Sequence, residues 1–163
     1  MSVWVVNASP LILLGKVGRL ALLTRLSDRL LIPAEVAGEI SAGPSDDSAR
    51  SWVAGEGASA IAMTVPANPK VVAWDLGAGE TAVISVALSH PGAVCLLDDR
   101  AARDCAAVFN LPVLGTAGVL VRAKRSGLIP AVRPEIERLR AAGALIAEHV
   151  VRDCLRLAGE QQP

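Results

Sequence analysis

The sequence predicts one α/β domain, a central parallel sheet flanked by helices on both faces. Three observations carry that expectation. Short apolar runs alternate with segments of helical spacing along the chain. The run Ala93 to Leu97 is apolar without interruption, the pattern of a strand buried on both faces. No linker-like stretch, internal repeat or low-complexity tract divides the 163 residues. Residues 1–163 are therefore expected to form a single domain, helical in its C-terminal part from about residue 134.

The elements follow in order. Val3 to Val6 is the first expected strand and ends at Asn7. Ser9 and Pro10 read as the cap and first turn of a helix. Leu20, Leu23 and Leu26 keep helical spacing, and Leu30 to Ile32 is a second short strand stopped by Pro33. Ala34 to Ile40 reads as a helix with Val36 and Ile40 on one face. Glu35 and Glu39 share another face, four residues being about one turn. Ser41 to Ser48 is a polar loop, Ala49 to Ala54 a short helix, and Ala60 to Val65 either a strand or an extended link. Gly79 to Leu88 is a helix stopped by Pro91 and Gly92. Arg100 to Phe109 is helical, Pro112 to Leu114 is a short strand, and Thr116 opens another helix. From Pro134 the chain is helical, with a break at Gly143.

Composition narrows the function classes. Apolar residues make up 52% of the chain, which excludes a disordered polymer. Aromatics are 2%, so Leu, Val, Ile and Ala must build the core. No apolar run approaches the roughly 18 residues of a membrane helix, and the N-terminus carries no signal-like pattern. A cytoplasmic protein with no membrane partner is expected. Cys95, Cys105 and Cys154 are odd in number and form no C-x-x-C pair, so they read as small buried hydrophobes. His90 and His149 are too scattered for a histidine metal site. Net charge is zero, so bulk charge gives no argument for nucleic acid. Arg122, Lys124, Arg125, Arg133, Arg138 and Arg140 outnumber Glu135 and Glu137 between residues 111 and 140. That stretch is either a phosphate-facing patch or a solvated helical face.

In open α/β sheets, ligands bind beyond the carboxyl ends of the strands. Those positions are Asn7-Ala8-Ser9, Asp98-Asp99-Arg100 and Gly115-Thr116. Two adjacent carboxylates repel one another and favour a cation or a basic partner. The competing reading is that one Asp caps the helix starting near Arg100 while the other favours its dipole. Glu80 sits in a first helical turn, where the dipole also explains it, and Glu39 is otherwise an ordinary exposed helix residue. Together Asn7, Glu39, Glu80 and Asp99 offer oxygen ligands of the kind Mg²⁺ or Mn²⁺ prefers. Gly77-Ala78-Gly79-Glu80-Thr81-Ala82 also fits G-x-G-x-x-A, with Asp98 about 20 residues on, the outline of a dinucleotide fingerprint. Val71 to Leu76, with Trp74 and Asp75, is a poor strand to precede it. The chain has no P-loop, no G-x-S-x-G, and no lysine after the last strand to complete a receiver-type phosphoacceptor.

At these residues the chain resembles a PIN domain, and more narrowly the predicted nucleic-acid-binding subfamily related to VapC-type toxins. The matching pieces are Val5 to Ile12, Ile32-Pro33 through Val36 to Glu39-Ile40, Gly77 to Ala82 and Leu96 to Arg103. Gly115 to Leu120 and Ala123 to Ile129 extend the match, which covers roughly residues 3 to 155. The resemblance implies a parallel sheet with helices around it and an acidic cluster that binds Mg²⁺ or Mn²⁺ and hydrolyses RNA. It carries catalysis onto Asn7, Glu39, Glu80, Asp98 and Asp99, with Asn7, Glu39, Glu80 and Asp99 as metal ligands. It brings Ser9 close to the RNA, and Arg100, Arg103, Lys124 and Arg125 are candidates to position its backbone. It further implies RNA as partner, a cognate antitoxin, and a homodimer. Leu139, Leu145, Ile146, Val150, Val151 and Leu155 would complete either the core or that dimer. Asn7 departs from the Asp that most active PIN nucleases carry there. Asn keeps an oxygen and removes a charge. The alternative is then a catalytically weak or inactive module that binds RNA or a protein partner.

Overall fold

Four consecutive buried side chains leave β1 (Val3–Val6) no solvent face, so it can only be an inner strand. The computed structural model describes residues 1–161 and gives β1 a parallel neighbour on each side, β2 (Arg29–Leu31) and β3 (Val94–Leu96). β4 (Val113–Leu114) pairs with the outer side of β3, so the order is β2-β1-β3-β4 with every pair parallel. The expected α/β fold is the observed one.

The order explains where a site can form. The chain moves from β1 outward to β2, then returns past β1 to β3 and continues outward to β4. The reversal falls between β1 and β3. Right-handed crossovers in opposite directions put their helices on opposite faces, which opens a crevice at the carboxyl ends of those two strands. α1 (Ala8–Lys16) and α2 (Ala21–Leu26) join β1 to β2 and pack against α8 (Thr116–Arg125). α3 (Ala34–Ser41), α4 (Ser48–Ala54), α5 (Pro69–Val72) and α6 (Ala78–Leu88) lie between β2 and β3. α6 packs on β1, β3 and α7 (Arg100–Val108).

Some boundaries differ from expectation for identifiable reasons. α1 starts at Ala8 with Asn7 in the capping position, two residues ahead of the Ser9-Pro10 start, and Pro10 is accommodated in the first turn where its missing N–H costs nothing. The apolar stretch at 60–65 contributes only one parallel bridge, Ile61 to Ile32, after a single 3-10 turn at Ala58–Ala60. Val71 belongs to the short helix α5 and Asp75 turns with φ 54, so no strand precedes Gly77 and the dinucleotide outline fails.

The C-terminal helices α9 (Arg133–Ala141) and α10 (Glu148–Leu157) complete the core. Leu139, Val151 and Leu155 are buried, Ile146 and Val150 pack against the core, and Leu145 alone of that set is fully exposed. Most of this apolar set thus completes the core. Two carboxylates fasten this part. Glu135, 5% exposed, lies between Arg19 and Arg138, and a carboxylate is buried at tolerable cost only when so paired. Glu160 accepts the N–H groups of Val132 (2.6 Å) and Arg133 (3.0 Å) and pairs with Lys124 at 2.8 Å.

Burial pushes the Glu160 carboxyl up, but Lys124 and the two amides outweigh it and hold it below its ordinary value of 4.5. A depressed folded pKa contributes stability that is present above 4.5 and lost as pH falls through the folded value. Glu160→Gln is therefore expected to cost about 1–3 kcal/mol at neutral pH. The gap from the unaltered chain should narrow as pH falls through the lowered folded value. Urea denaturation at neutral and at acid pH checks this.

No helix among the described residues is long and apolar enough to cross a membrane.

Candidate functional site

The site begins with a cap that does not cap. Asn is among the best N-cap residues because its side chain normally accepts a helix N–H. Asn7 stands at that position of α1 yet makes no side-chain cap bond. It is only 6% exposed, and its backbone N–H is tied to the Leu96 carbonyl of β3 at 3.2 Å. Its Oδ1 is directed across the crevice to Gly79, where an added Cβ would lie 3.1 Å from it.

Glu39 reaches the same spot from α3. A carboxylate near the C-terminal end of its own helix is poorly placed for the dipole, and Glu39 instead lies at the N-terminus of α6. Its Oε1 accepts the Gly79 N–H at 3.0 Å and would stand 2.6 Å from a Cβ on that glycine. Glu80 folds back onto Gly77, accepting its N–H at 3.1 Å. Gly77 has no side chain to reciprocate, so this is half of a capping box.

The two aspartates after β3 have different surroundings. Asp99 caps α7, accepting the Ala102 N–H at 3.0 Å, so the capping alternative describes its bond. Asp98 is the hub of the crevice. Its Oδ2 accepts the hydroxyls of Ser9 (2.9 Å) and Thr116 (2.7 Å), and its Oδ1 accepts the Thr116 N–H at 2.8 Å. It thereby joins the starts of α1 and α8 to the end of β3. Thr116, 3% exposed, is the participant that sequence reasoning left out of the site. A hydroxyl directly after the last strand and facing the interior needs an acceptor, and that was the available signal.

Cationic candidates divide by position. Arg103 is held at the strand end, its Nη1 donating to the Leu97 carbonyl at 3.1 Å and approaching the Cβ position of Gly115 from the same side as Asp98. Arg100 is 95% exposed, with only a 4.0 Å approach to Asp104. Lys124 and Arg125 are not brought to the crevice. α8 starts there with Thr116 and runs away from it, so its last residues lie about 12–14 Å further along the helix. Lys124 is paired with Glu160, and Arg122 stacks over the buried Trp4 ring at 5.9 Å.

Among the described residues no ion pair engages Glu39, Glu80, Asp98 or Asp99. Several carboxylates without counter-charges at one end of a sheet favour a cation. No group of three or more His, Cys, Asp or Glu side chains is gathered to hold one among those residues. The donor chemistry still fits Mg²⁺ or Mn²⁺. Asn7 and Glu39 supply two converging oxygens, and Mg²⁺ is commonly held by one or two carboxylates, with waters and phosphates completing its shell. Cys95, Cys105 and Cys154 are free and buried, and burial raises all three, Cys95 to about 12. His90 bonds the Val86 carbonyl.

Fold and site together define an α/β domain with an acidic, all-oxygen crevice at the switch point of a parallel sheet. A family model described as PIN domain matches residues 3–160, and the chain belongs to the PIN-domain family. That places it among nuclease folds, which typically depend on a divalent metal. No curated protein and no solved structure matches the chain.

Proposed function

We propose that this protein is a Mg²⁺- or Mn²⁺-dependent ribonuclease that hydrolyses RNA phosphodiester bonds, related to VapC-type toxins. The observation that carries the reading is the meeting of Asn7 Oδ1 and Glu39 Oε1 at Gly79, one strand over from Asp98. Asn7, Glu39 and Asp98 would hold the cation, with Glu80 and Asp99 adding negative charge around it. When bound, the cation supplies a Lewis acid for the phosphodiester. The chain's own residues do the positioning. Ser9 and Thr116 hold the Asp98 carboxylate in one orientation. Arg103, steadied by the Leu97 carbonyl, keeps donors free for a phosphate, and Arg100 offers a second, solvated cation. RNA is the proposed partner, and a cognate antitoxin and a homodimer belong to the same reading.

Two observations favour a second reading, a PIN module that binds RNA without cutting it. Asn7 lacks the charge of an aspartate, and Asp98 already accepts three hydrogen bonds. Cleavage of a labelled single-stranded RNA, with Mn²⁺ and with EDTA, separates the two. The nuclease reading predicts EDTA-sensitive cleavage by the unaltered chain. It also predicts that Asn7→Asp tightens Mn²⁺ binding about tenfold or more, since 1.4 kcal/mol of added attraction is already a factor of ten. RNA binding with no cleavage by either form would favour the second reading.

A further inference from the structure

The glycine pair that failed as a dinucleotide motif has its N–H groups occupied by the chain's own carboxylates, Gly77 by Glu80 and Gly79 by Glu39. Gly79 is buried in the first turn of α6, with no positive φ that would demand glycine. Alanine there would favour the helix by about 0.5–1 kcal/mol. What glycine offers at this position is space. A Cβ would sit 2.6 Å from Glu39 Oε1, closer than side-chain atoms approach, and 3.1 Å from Asn7 Oδ1. Asn7 is buried and tied to β3, whereas Glu39 is the flexible end of an exposed residue. The contact would be relieved by Glu39 swinging out, with the helix left in place. Gly38, one residue before Glu39 on α3, is the natural control, because nothing lies within 4 Å of its Cβ position.

We propose that Gly79 is a positioning residue of this site, its missing side chain being the seat that brings the Glu39 carboxylate against Asn7. The proposal rests on the metal-dependent reading above for its consequence, and on the apo geometry for its substance. The experiment is Mn²⁺ calorimetry and thermal melting of the unaltered chain, Gly79→Ala and Gly38→Ala, with the Gly79 amide resonance followed in the apo protein. The expected result is that Gly79→Ala loses about tenfold or more in Mn²⁺ affinity, the scale of losing a partner that orients a ligand. Its Tm should stay level or rise. Gly38→Ala should keep its affinity, and Glu39→Ala, which removes the acceptor, should move the Gly79 amide signal. Undiminished Mn²⁺ binding by Gly79→Ala would overturn the seat, as would a loss accompanied by a lower Tm. If the unaltered chain takes up no Mn²⁺, the nuclease reading falls on its own. The seat is then judged by the amide signal, where a shift upholds it and an unmoved signal overturns it.

Discussion

Glu39→Gln is expected to remove Mn²⁺-dependent RNA cleavage while leaving the fold intact. Glu39 is exposed, makes no ion pair among the described residues, and donates nothing to the core. Among the described residues its side chain makes one hydrogen bond, accepting the Gly79 N–H at 3.0 Å, and a glutamine oxygen can still accept it. The substitution therefore takes away a charge and little else. With Asn7 already neutral, Glu39 supplies the negative charge nearest the Gly79 Cβ position among the described residues, so the cation would lose its main electrostatic anchor there. A fall of about 100-fold or more in cleavage is expected, above the 10–100-fold typical of losing an outer partner of a ligand. Surface substitutions of this kind change stability by about 0.5 kcal/mol or less. A gel assay with labelled RNA and a thermal melt on the same preparation check both halves.

Asp98→Ala is expected to have a different signature, losing cleavage and stability together. Three donors converge on Asp98, and two of them belong to buried Thr116. Removing the carboxylate strands those donors in a place water reaches poorly, at about 1–3 kcal/mol for each buried group left unpaired. A total near 3 kcal/mol would lower Tm by about 6–12 °C in a domain of this size. Asp98→Asn should recover part of that stability, because its amide oxygen still accepts, and should recover no cleavage. A chemical denaturation series on the two variants checks the order: unaltered chain, then Asn, then Ala.

Much of this arrangement was legible in the chain. The uninterrupted apolar run Ala93 to Leu97 marked β3 as an inner strand, and the rule that ligands sit beyond strand ends pointed to Asn7 and Asp98. The rest depended on contacts with no local trace. Glu39 meets Gly79 across 40 positions of chain, and no spacing rule relates an acid on one helix to a glycine at the start of another. The same holds for Asp98 and Thr116, 18 positions apart, although both follow strands. The resemblance put a metal ligand on Asp99 with Asp98 beside it, and adjacency alone does not tell which of the two faces the crevice. Successive residues leaving a strand point opposite ways, and one carboxylate caps α7 while the other faces the crevice. Lys124 and Arg125 drew attention as basic residues near a matching segment. The rise of a helix carries them away from the end at which Thr116 stands.

The central claim is that the crevice between β1 and β3 binds a divalent cation through Asn7, Glu39 and Asp98, and its most direct test is Mn²⁺ calorimetry on the unaltered chain with and without a short, uncleavable RNA analogue. The account predicts saturable, stoichiometric uptake, strengthened by the RNA because phosphate oxygens complete the ion's shell. Absence of binding in both conditions, with Asn7→Asp equally silent, would contradict it.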